Sequence, residues 1–142
     1  MDGLRFGGSA WCNIDIALRN LDAIYNRELE PLGLVIIESY ILRLLYEQDG
    51  QMPSRLAQGV GRPATSFTPI LDKLQNKRLI ERHSHPADRR AVKIYLTAYG
   101  KGLEAEVKAS TERIESRMRQ QFADKDWQGF QRITTDFQSI AP

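Results

Sequence analysis

Near the start of the chain, apolar residues recur every three or four positions, the spacing of one face of an α-helix. The series consists of Trp11, Ile14, Leu18, Leu21, Tyr25 and Leu29. Pro31 and Gly33 follow it, and neither residue favours a continuing helix. The pattern therefore predicts a first helix over residues 10–31.

The same periodicity predicts two further helices after a short gap. The second has an apolar face made of Ile37, Tyr40, Ile41, Leu44 and Leu45. Asp49 and Gly50 close it, since both residue types favour turns. A short third helix is predicted to begin at Pro53. Proline is favoured at the first helical position because the N–H there has no partner within the helix.

A fourth helix is predicted to start at Pro63, with Arg62 at the N-cap position. The glycines in residues 59–61 separate it from the third helix, so the two form a helix, a turn and a helix. Pro69 stands inside the fourth helix. A proline there removes the N–H that would bond the carbonyl of Thr65, so we expect a kink or a free carbonyl.

Residues 79–97 alternate between apolar and polar types as a half-buried β-hairpin does. On the returning strand, Val92 and Ile94 alternate with Lys93 and Tyr95. The tip between the strands carries Pro86, Asp88, Arg89 and Arg90. Two helices joined by a turn and followed by a basic hairpin predict a winged helix-turn-helix.

Two more amphipathic helices are predicted after the hairpin. Thr97 can cap a long one, whose apolar positions are Leu103, Val107, Ile114, Met118 and Phe122. The last helix carries Trp127, Phe130, Ile133, Phe137 and Ile140 on one side. A small winged-helix core cannot bury these stripes, so we expect them to meet their copies in a second subunit. A monomeric bundle in which the terminal helices cover one another is the alternative.

Charge is distributed unevenly along the chain, although the formal net charge of the whole is only +2. Residues 53–101 hold ten Lys and Arg against three Asp and Glu, a net charge of +7, which leaves −5 for the rest. A basic surface on an acidic body is typical of nucleic-acid-binding proteins. The alternative is an ordinary solvated face.

The sequence offers little for catalysis, metal binding or membrane insertion. Its 142 residues, 42% of them hydrophobic, suit one globular domain. No apolar run approaches the roughly 20 residues that span a bilayer, and no signal peptide is visible, so we expect a cytoplasmic protein without membrane contact. With only one cysteine, Cys12, and two histidines, His83 and His85, we expect no catalytic site, no metal site and no cofactor.

The segment Asp72 to Lys101, DKLQNKRLIERHSHPADRRAVKIYLTAYGK, resembles the MarR family of bacterial winged-helix regulators. It has an aspartate and a leucine late in the recognition helix, a Leu-Ile-Glu-Arg strand, an Asp-x-Arg wing tip and a Leu-Thr-x-x-Gly step. The resemblance implies a homodimer with intertwined terminal helices, a recognition helix in each major groove and a wing in the adjacent minor groove. It also implies repression that a small molecule or an oxidant relieves.

The chain departs from the family pattern at Arg78, where the family usually has glycine. The end of the recognition helix is therefore expected either to turn in another way or to hold Arg78 or Asn76 in a strained backbone conformation.

The resulting fold class is all-α with a small β-hairpin wing, in a single MarR-like domain over residues 1–142. Residues 34–100 are predicted to form the winged helix-turn-helix that binds DNA. Residues 10–31 and 101–141 are predicted to form the intertwined dimerisation helices.

The DNA-binding residues of the fourth helix are predicted from the hydrogen-bonding groups that the grooves of DNA present to a protein. Thr65, Ser66 and Thr68 lie near its start and are expected to meet base edges. Arg62 and Lys73 belong to the same basic segment and are expected to contact the DNA as well.

The wing is expected to place Arg90 in the minor groove, with its guanidinium held by Asp88. Arg89 is then available for a phosphate. For the pair Asp88 and Arg90, a surface salt bridge of little consequence is the alternative.

An effector pocket is expected between the dimerisation helices and the winged-helix part. Its predicted lining is Trp11, Tyr25, Tyr40 and Ile41. The expected occupant is a small aromatic or phenolic molecule, and the alternative is that these residues are simply core. Redox sensing by Cys12 is the weaker interpretation, because WCNID does not reproduce the sensor motif of redox-sensing relatives.

These observations predict a sequence-specific DNA-binding transcriptional regulator, a repressor that acts as a homodimer on a pseudo-palindromic operator. A small-molecule ligand is expected to release it from double-stranded DNA. The alternative is a winged-helix dimer that serves protein interaction only. An enzyme is the weakest interpretation, since neither a Gly-rich phosphate loop nor a nucleophile elbow is present.

Overall fold

The computed structural model describes residues 3–142, apart from the side chains of His85 and Arg89. Its elements are α1 Ala10–Leu29, α2 Ile36–Glu47, α3 Pro53–Gly59, α4 Thr68–Asn76, β1 Ile80–His85, β2 Asp88–Leu96, α5 Ala98–Gly102, α6 Glu104–Arg119 and α7 Asp124–Ser139. Short 3₁₀ turns cover Glu30–Leu32 and Ala64–Ser66. The predicted fold class, mostly helical with an antiparallel hairpin in a winged helix-turn-helix, is confirmed.

Side chains from α2, α3, α4 and both strands form one hydrophobic core. Its fully buried members include Leu42, Leu45, Leu56, Phe67, Leu71, Leu74, Ile80 and Ile94. Burying a side chain of this size contributes about 1.5–3 kcal/mol, so the core holds the helices and the hairpin in fixed relative positions. We call residues 36–96, from α2 to β2, the reading head. Val107 of α6 joins the same core and anchors α6 to it.

The hairpin is held by antiparallel pairing and by a third short segment at its base. Ile80 pairs with Leu96, and the register runs regularly to an irregularity between Ser84 and His85. Gln51, just before α3, pairs with Ile94 through N–O distances of 2.8 and 3.2 Å. The wing therefore extends from the body of the reading head rather than from a flexible linker.

The recognition helix begins later than the sequence predicts. Instead of starting at Pro63, the chain makes a 3₁₀ turn, buries Phe67, and begins α4 at Thr68. Pro69 is then the second helical residue, where the helix needs no N–H. The amide of Leu71 donates to the carbonyl of Phe67 at 3.1 Å and starts the helical pattern. The expected mid-helix kink was therefore wrong, because the helix starts beside the proline.

The end of α4 contains a strained residue, which is one of the outcomes that the sequence left open. Arg78 has a φ of +60°, in the left-handed region. Its amide donates to the carbonyl of Gln75 at 2.9 Å, and the amide of Leu79 donates to the carbonyl of Leu74 at 3.1 Å. These two bonds form the Schellman motif that usually has glycine at the position of Arg78.

Replacing Arg78 by glycine should therefore stabilise the protein by about 1 kcal/mol, because glycine adopts a positive φ without steric cost. Urea unfolding measures the change. Asn76→Gly, two residues earlier and inside α4, is the matched control and should destabilise by about 0.5–1 kcal/mol. Equal losses in both variants would show that Arg78 carries no strain.

After the hairpin, Thr97 caps the next helix, α5, as the sequence predicts. The Oγ1 atom of Thr97 accepts a hydrogen bond from the amide of Gly100 at 3.0 Å. The single long helix expected after it is divided, since α5 ends at Gly102 and α6 starts at Glu104. α1 then packs against α6, where the guanidinium of Arg113 lies 2.7 Å from a carboxylate oxygen of Glu28.

Candidate nucleic-acid interface and cavity

The turn before α4 and the first residue of α4 present hydroxyl groups to solvent. Thr65, Ser66 and Thr68 are all exposed, and so is Lys73 further along the helix. The hydroxyl of Ser66 donates to the carbonyl of Pro63 at 3.1 Å. The buried Phe67 between them fixes the turn to the core, so the hydroxyls occupy defined positions on the surface of the reading head.

The wing tip differs in one respect from the sequence-based expectation. The carboxylate of Asp88 accepts the backbone N–H of Arg90 at 2.9 Å. Between these two described side chains there is no ion pair, so the expectation that Asp88 holds the guanidinium of Arg90 was wrong. A short side chain that bonds the amide two residues on stabilises the turn itself. The predicted side-chain role of Arg89 lies outside the described part of the chain.

Arg82 of β1 connects the wing to the recognition helix. Its guanidinium lies 2.7 Å from a carboxylate oxygen of Asp72 and also donates to the side-chain carbonyl of Gln75. This contact was missed in the sequence, although Asp72 and Gln75 are three residues apart and so share one helix face. A planar guanidinium that bonds two acceptors on one helix fixes the angle between helix and wing.

A second contact joins the far end of α4 to the loop after α1. The ammonium of Lys77 lies 2.7 Å from Oε1 of Glu38 and 2.8 Å from the carbonyl oxygen of Gly33. The side chain of Glu38 is only 2% exposed and also accepts the amide of Val35 at 2.9 Å. The pair therefore fixes α4 against the start of α2.

The histidines and the cysteine do not form a site in the described part of the chain. His83 lies 3.0 Å from a carboxylate oxygen of Glu81, and its ring centroid is 4.8 Å from that of Tyr95. The side chain of His85 is outside the described residues. Cys12 is partly exposed near the start of α1. Among the residues described, no three His, Cys, Asp or Glu side chains are placed to hold a metal ion.

A cavity of about 720 Å³ lies between the terminal helices and the reading head. Its lining comprises Leu18, Leu21, Asp22, Tyr25, Ile36, Ile37, Tyr40, Val60, Arg62, Glu115, Met118, Phe122, Asp126, Trp127, Phe130 and Gln131. Tyr25 and Tyr40 were predicted for this site and line it. The other two predicted residues do not: Trp11 is 80% exposed on the outer side of α1, and Ile41 is fully buried in the core.

Tyr25 and Tyr40 lie in an acidic environment. The hydroxyl of Tyr25 donates to a carboxylate oxygen of Glu115. Burial, followed by this hydrogen bond and the charge of Glu115, raises the pKa of Tyr25. Burial, with the charges of Glu115 and Asp22, also raises the pKa of Tyr40, and Arg43 partly opposes the effect. Both phenols therefore remain neutral at physiological pH.

The terminal helices leave an apolar surface uncovered. α7 buries none of its 16 residues. Along it, Phe130 and Ile133 are each 55% exposed, Phe137 is 45% exposed and Ile140 is 67% exposed. Single exposed apolar residues are common on soluble proteins, but a continuous apolar stripe along a helix indicates an interface.

Solved structures of other proteins share this fold. That of S. aureus MepR in complex with DNA matches with a TM-score of 0.84 and 20% identity, over 92% of this chain and 97% of that chain. The transcriptional repressor CouR bound to a 23-mer DNA duplex matches with a TM-score of 0.80 and 21% identity, over 93% of this chain and 91% of that chain. At these identities the likeness shows the fold.

Sequence comparison finds similar proteins for part of the chain. The HTH-type transcriptional regulator MhqR of Bacillus subtilis strain 168 is 31% identical over 87 residues, which are 61% of this chain. The chain spans 60% of the length of that relative. The model of the MarR family matches residues 38–92. This part of the chain therefore resembles MarR-family regulators.

The MarR match extends from α2 into β2. It includes the helix-turn-helix, Arg82 and Arg90, whereas α6 and α7 lie beyond it. No helix within residues 3–142 is long and apolar enough to cross a membrane.

Proposed function

We propose that this protein is a cytoplasmic, non-enzymatic transcriptional repressor that binds a pseudo-palindromic operator as a homodimer. The observation that carries the proposal is the contact of Arg82 in the basic wing with Asp72 and Gln75 of α4. That link presents two DNA-facing elements as one rigid surface. The match of residues 38–92 to the model of the MarR family, and the DNA-bound state of MepR and CouR, support it.

In this proposal, residues 34–100 bind DNA. Thr65, Ser66 and Thr68 face the major groove, while Arg62 and Lys73 contact phosphates near them. Arg90 enters the minor groove, beside a turn that Asp88 stabilises, and Arg89 contacts a phosphate. Residues 10–31 and 101–141 form the dimer contacts, and half-sites lie about one helical turn, roughly 34 Å, apart. A small molecule in the cavity lowers the affinity for the operator.

Ionic strength provides the test of DNA binding. About four phosphate contacts per subunit imply a slope of log affinity against log salt near −7 for the dimer, because each contact releases counterions from DNA. Lys73→Ala and Arg90→Ala should each reduce the magnitude of that slope by about one for each half-site that the dimer contacts. Fluorescence anisotropy with operator fragments selected from genomic DNA measures the slopes.

The control variant is Lys125→Ala, which removes a cation from the exposed first turn of α7, away from the reading head. It should leave the slope unchanged. A flat salt response, or no binding to any duplex, would favour the alternative of a winged-helix dimer that serves protein interaction only.

A further inference from the structure

The cavity carries an excess of negative charge. Three carboxylates line it, and each comes from a different terminal helix: Asp22 from α1, Glu115 from α6 and Asp126 from α7. Arg62 is the one cation in its lining among the described residues. Asp22 is partly buried, whereas Glu115 and Asp126 are exposed, so solvent and salt partly screen the attraction of these carboxylates for positive charge.

The remaining wall is aromatic and can also attract a cation. Trp127 lies between Phe122 and Phe130, with ring centroids 6.2 and 5.3 Å away. The guanidinium of Arg119 lies 5.7 Å from the centroid of the Trp127 ring, so this indole already takes part in a cation–π contact. The face of an aromatic ring carries partial negative charge and stabilises organic cations by the same interaction.

The phenols of the cavity do not offset this negative charge. The hydroxyl proton of Tyr25 is already donated to Glu115, so it is not available to an incoming anion. Burial is the largest cause that raises the pKa of Tyr40, and the charges of Glu115 and Asp22 raise it further, while Arg43 lowers it. An aromatic acid would place its carboxylate against three others, and Arg62 is the one cation that lines the cavity among the described residues.

We propose that the cavity binds a lipophilic organic cation, whose charge lies among Asp22, Glu115 and Asp126 and whose apolar groups pack against the aromatic wall. A volume of about 720 Å³ accommodates a molecule of drug size. This inference rests on the proposed function, in which the cavity is the effector site. It changes the expected effector from a phenol or an aromatic acid to a cation.

Arg62 lies where a ligand in the cavity can affect DNA binding. Arg62 lines the cavity and directly precedes the turn that presents Thr65 and Ser66. Its amide donates to the carbonyl of Ala57 at 2.9 Å, so its backbone is fixed to the end of α3. A bound cation repels the guanidinium of Arg62, which lines the same cavity. The ligand therefore acts on the residue next to the recognition turn.

A pair of probes of nearly equal shape and opposite charge tests the inference. Tetraphenylphosphonium should bind the full-length protein at least about tenfold more tightly than tetraphenylborate in isothermal titration calorimetry. Asp22→Asn and Glu115→Gln should each weaken tetraphenylphosphonium binding by about fivefold or more. Glu115→Gln keeps a side-chain oxygen that can accept the hydrogen bond of Tyr25, so its effect reports charge.

The matched control is Glu112→Gln, which removes an exposed carboxylate of α6 outside the cavity and should leave the affinity unchanged. Equal or tighter binding of tetraphenylborate, no binding of tetraphenylphosphonium because partner helices fill the cavity, or an equal loss in the control would overturn the inference. Operator binding without added probe is measured on the same variants. If the protein ignores DNA but discriminates the probes as stated, the repressor proposal fails and the cation site stands.

Discussion

Placing two aspartates on the apolar face of α7, through Ile133→Asp and Phe137→Asp, should convert the protein to a monomer and lower operator affinity by about a hundredfold or more. Both residues are about half exposed in the isolated chain, so the fold of the subunit tolerates the change. In a two-fold dimer each substitution occurs twice at the interface, and a buried unpaired carboxylate costs several kcal/mol. A monomer reads one half-site and loses the cooperative contribution of the second. Sedimentation and operator titration measure the two effects.

The matched control is Gln128→Asp with Thr135→Asp, which adds the same charge to exposed positions on the opposite side of α7. It should remain dimeric and bind DNA with nearly unchanged affinity. A stable dimer in both double variants would show that α7 lies outside the interface and that another surface joins the subunits.

Gly100→Ala should destabilise the protein by about 3 kcal/mol, which lowers the melting temperature by about 10 °C in a chain of this size. A Cβ atom at this position would lie 2.2 Å from the carbonyl oxygen of Leu79, so α5 and the entry to the wing must separate. The carbonyl of Gly100 also accepts the hydroxyl of Tyr46 at 2.7 Å, and that bond would be displaced.

Gly102→Ala provides the comparison in the same short helix. Its Cβ would meet nothing within 4 Å, so alanine should stabilise the helix by about 0.5–1 kcal/mol. Calorimetry of both variants separates close packing from helix propensity. If the two variants melt alike, the contact between Gly100 and Leu79 is not the reason for a glycine in the Leu-Thr-x-x-Gly step.

Helix ends were predictable from the sequence wherever neighbouring residues determine them. Gly33 has a φ of +69° just after the 3₁₀ turn that follows α1, and Thr97 caps α5 as its side chain allows. Strain at Arg78 was one of the outcomes that the sequence left open, because many helices end with a left-handed residue whichever side chain it carries. The start of α4 was not, since a 3₁₀ turn and an α-helix accept the same residue types.

The cavity was only partly predictable, because helical periodicity identifies an apolar face but not the element that covers it. Tyr25 reaches Glu115, which is 90 residues away in sequence. Ile41 faces the core and Trp11 faces outwards, although both belong to apolar stripes of the predicted kind. The acidic lining depends on three helices meeting, so no local pattern contains it.

The ion pair between Glu38 and Lys77 restrains the orientation of α4. Any rotation of α4 away from α2 must first break a charge-assisted bond of 2.7 Å and leave a carboxylate that is 2% exposed without its cation. Small tilts are therefore resisted, whereas a full release lets Glu38 recruit water or another donor. In the proposed repressor, a ligand that changes operator affinity by tilting α4 away from α2 would therefore have to separate Lys77 from Glu38.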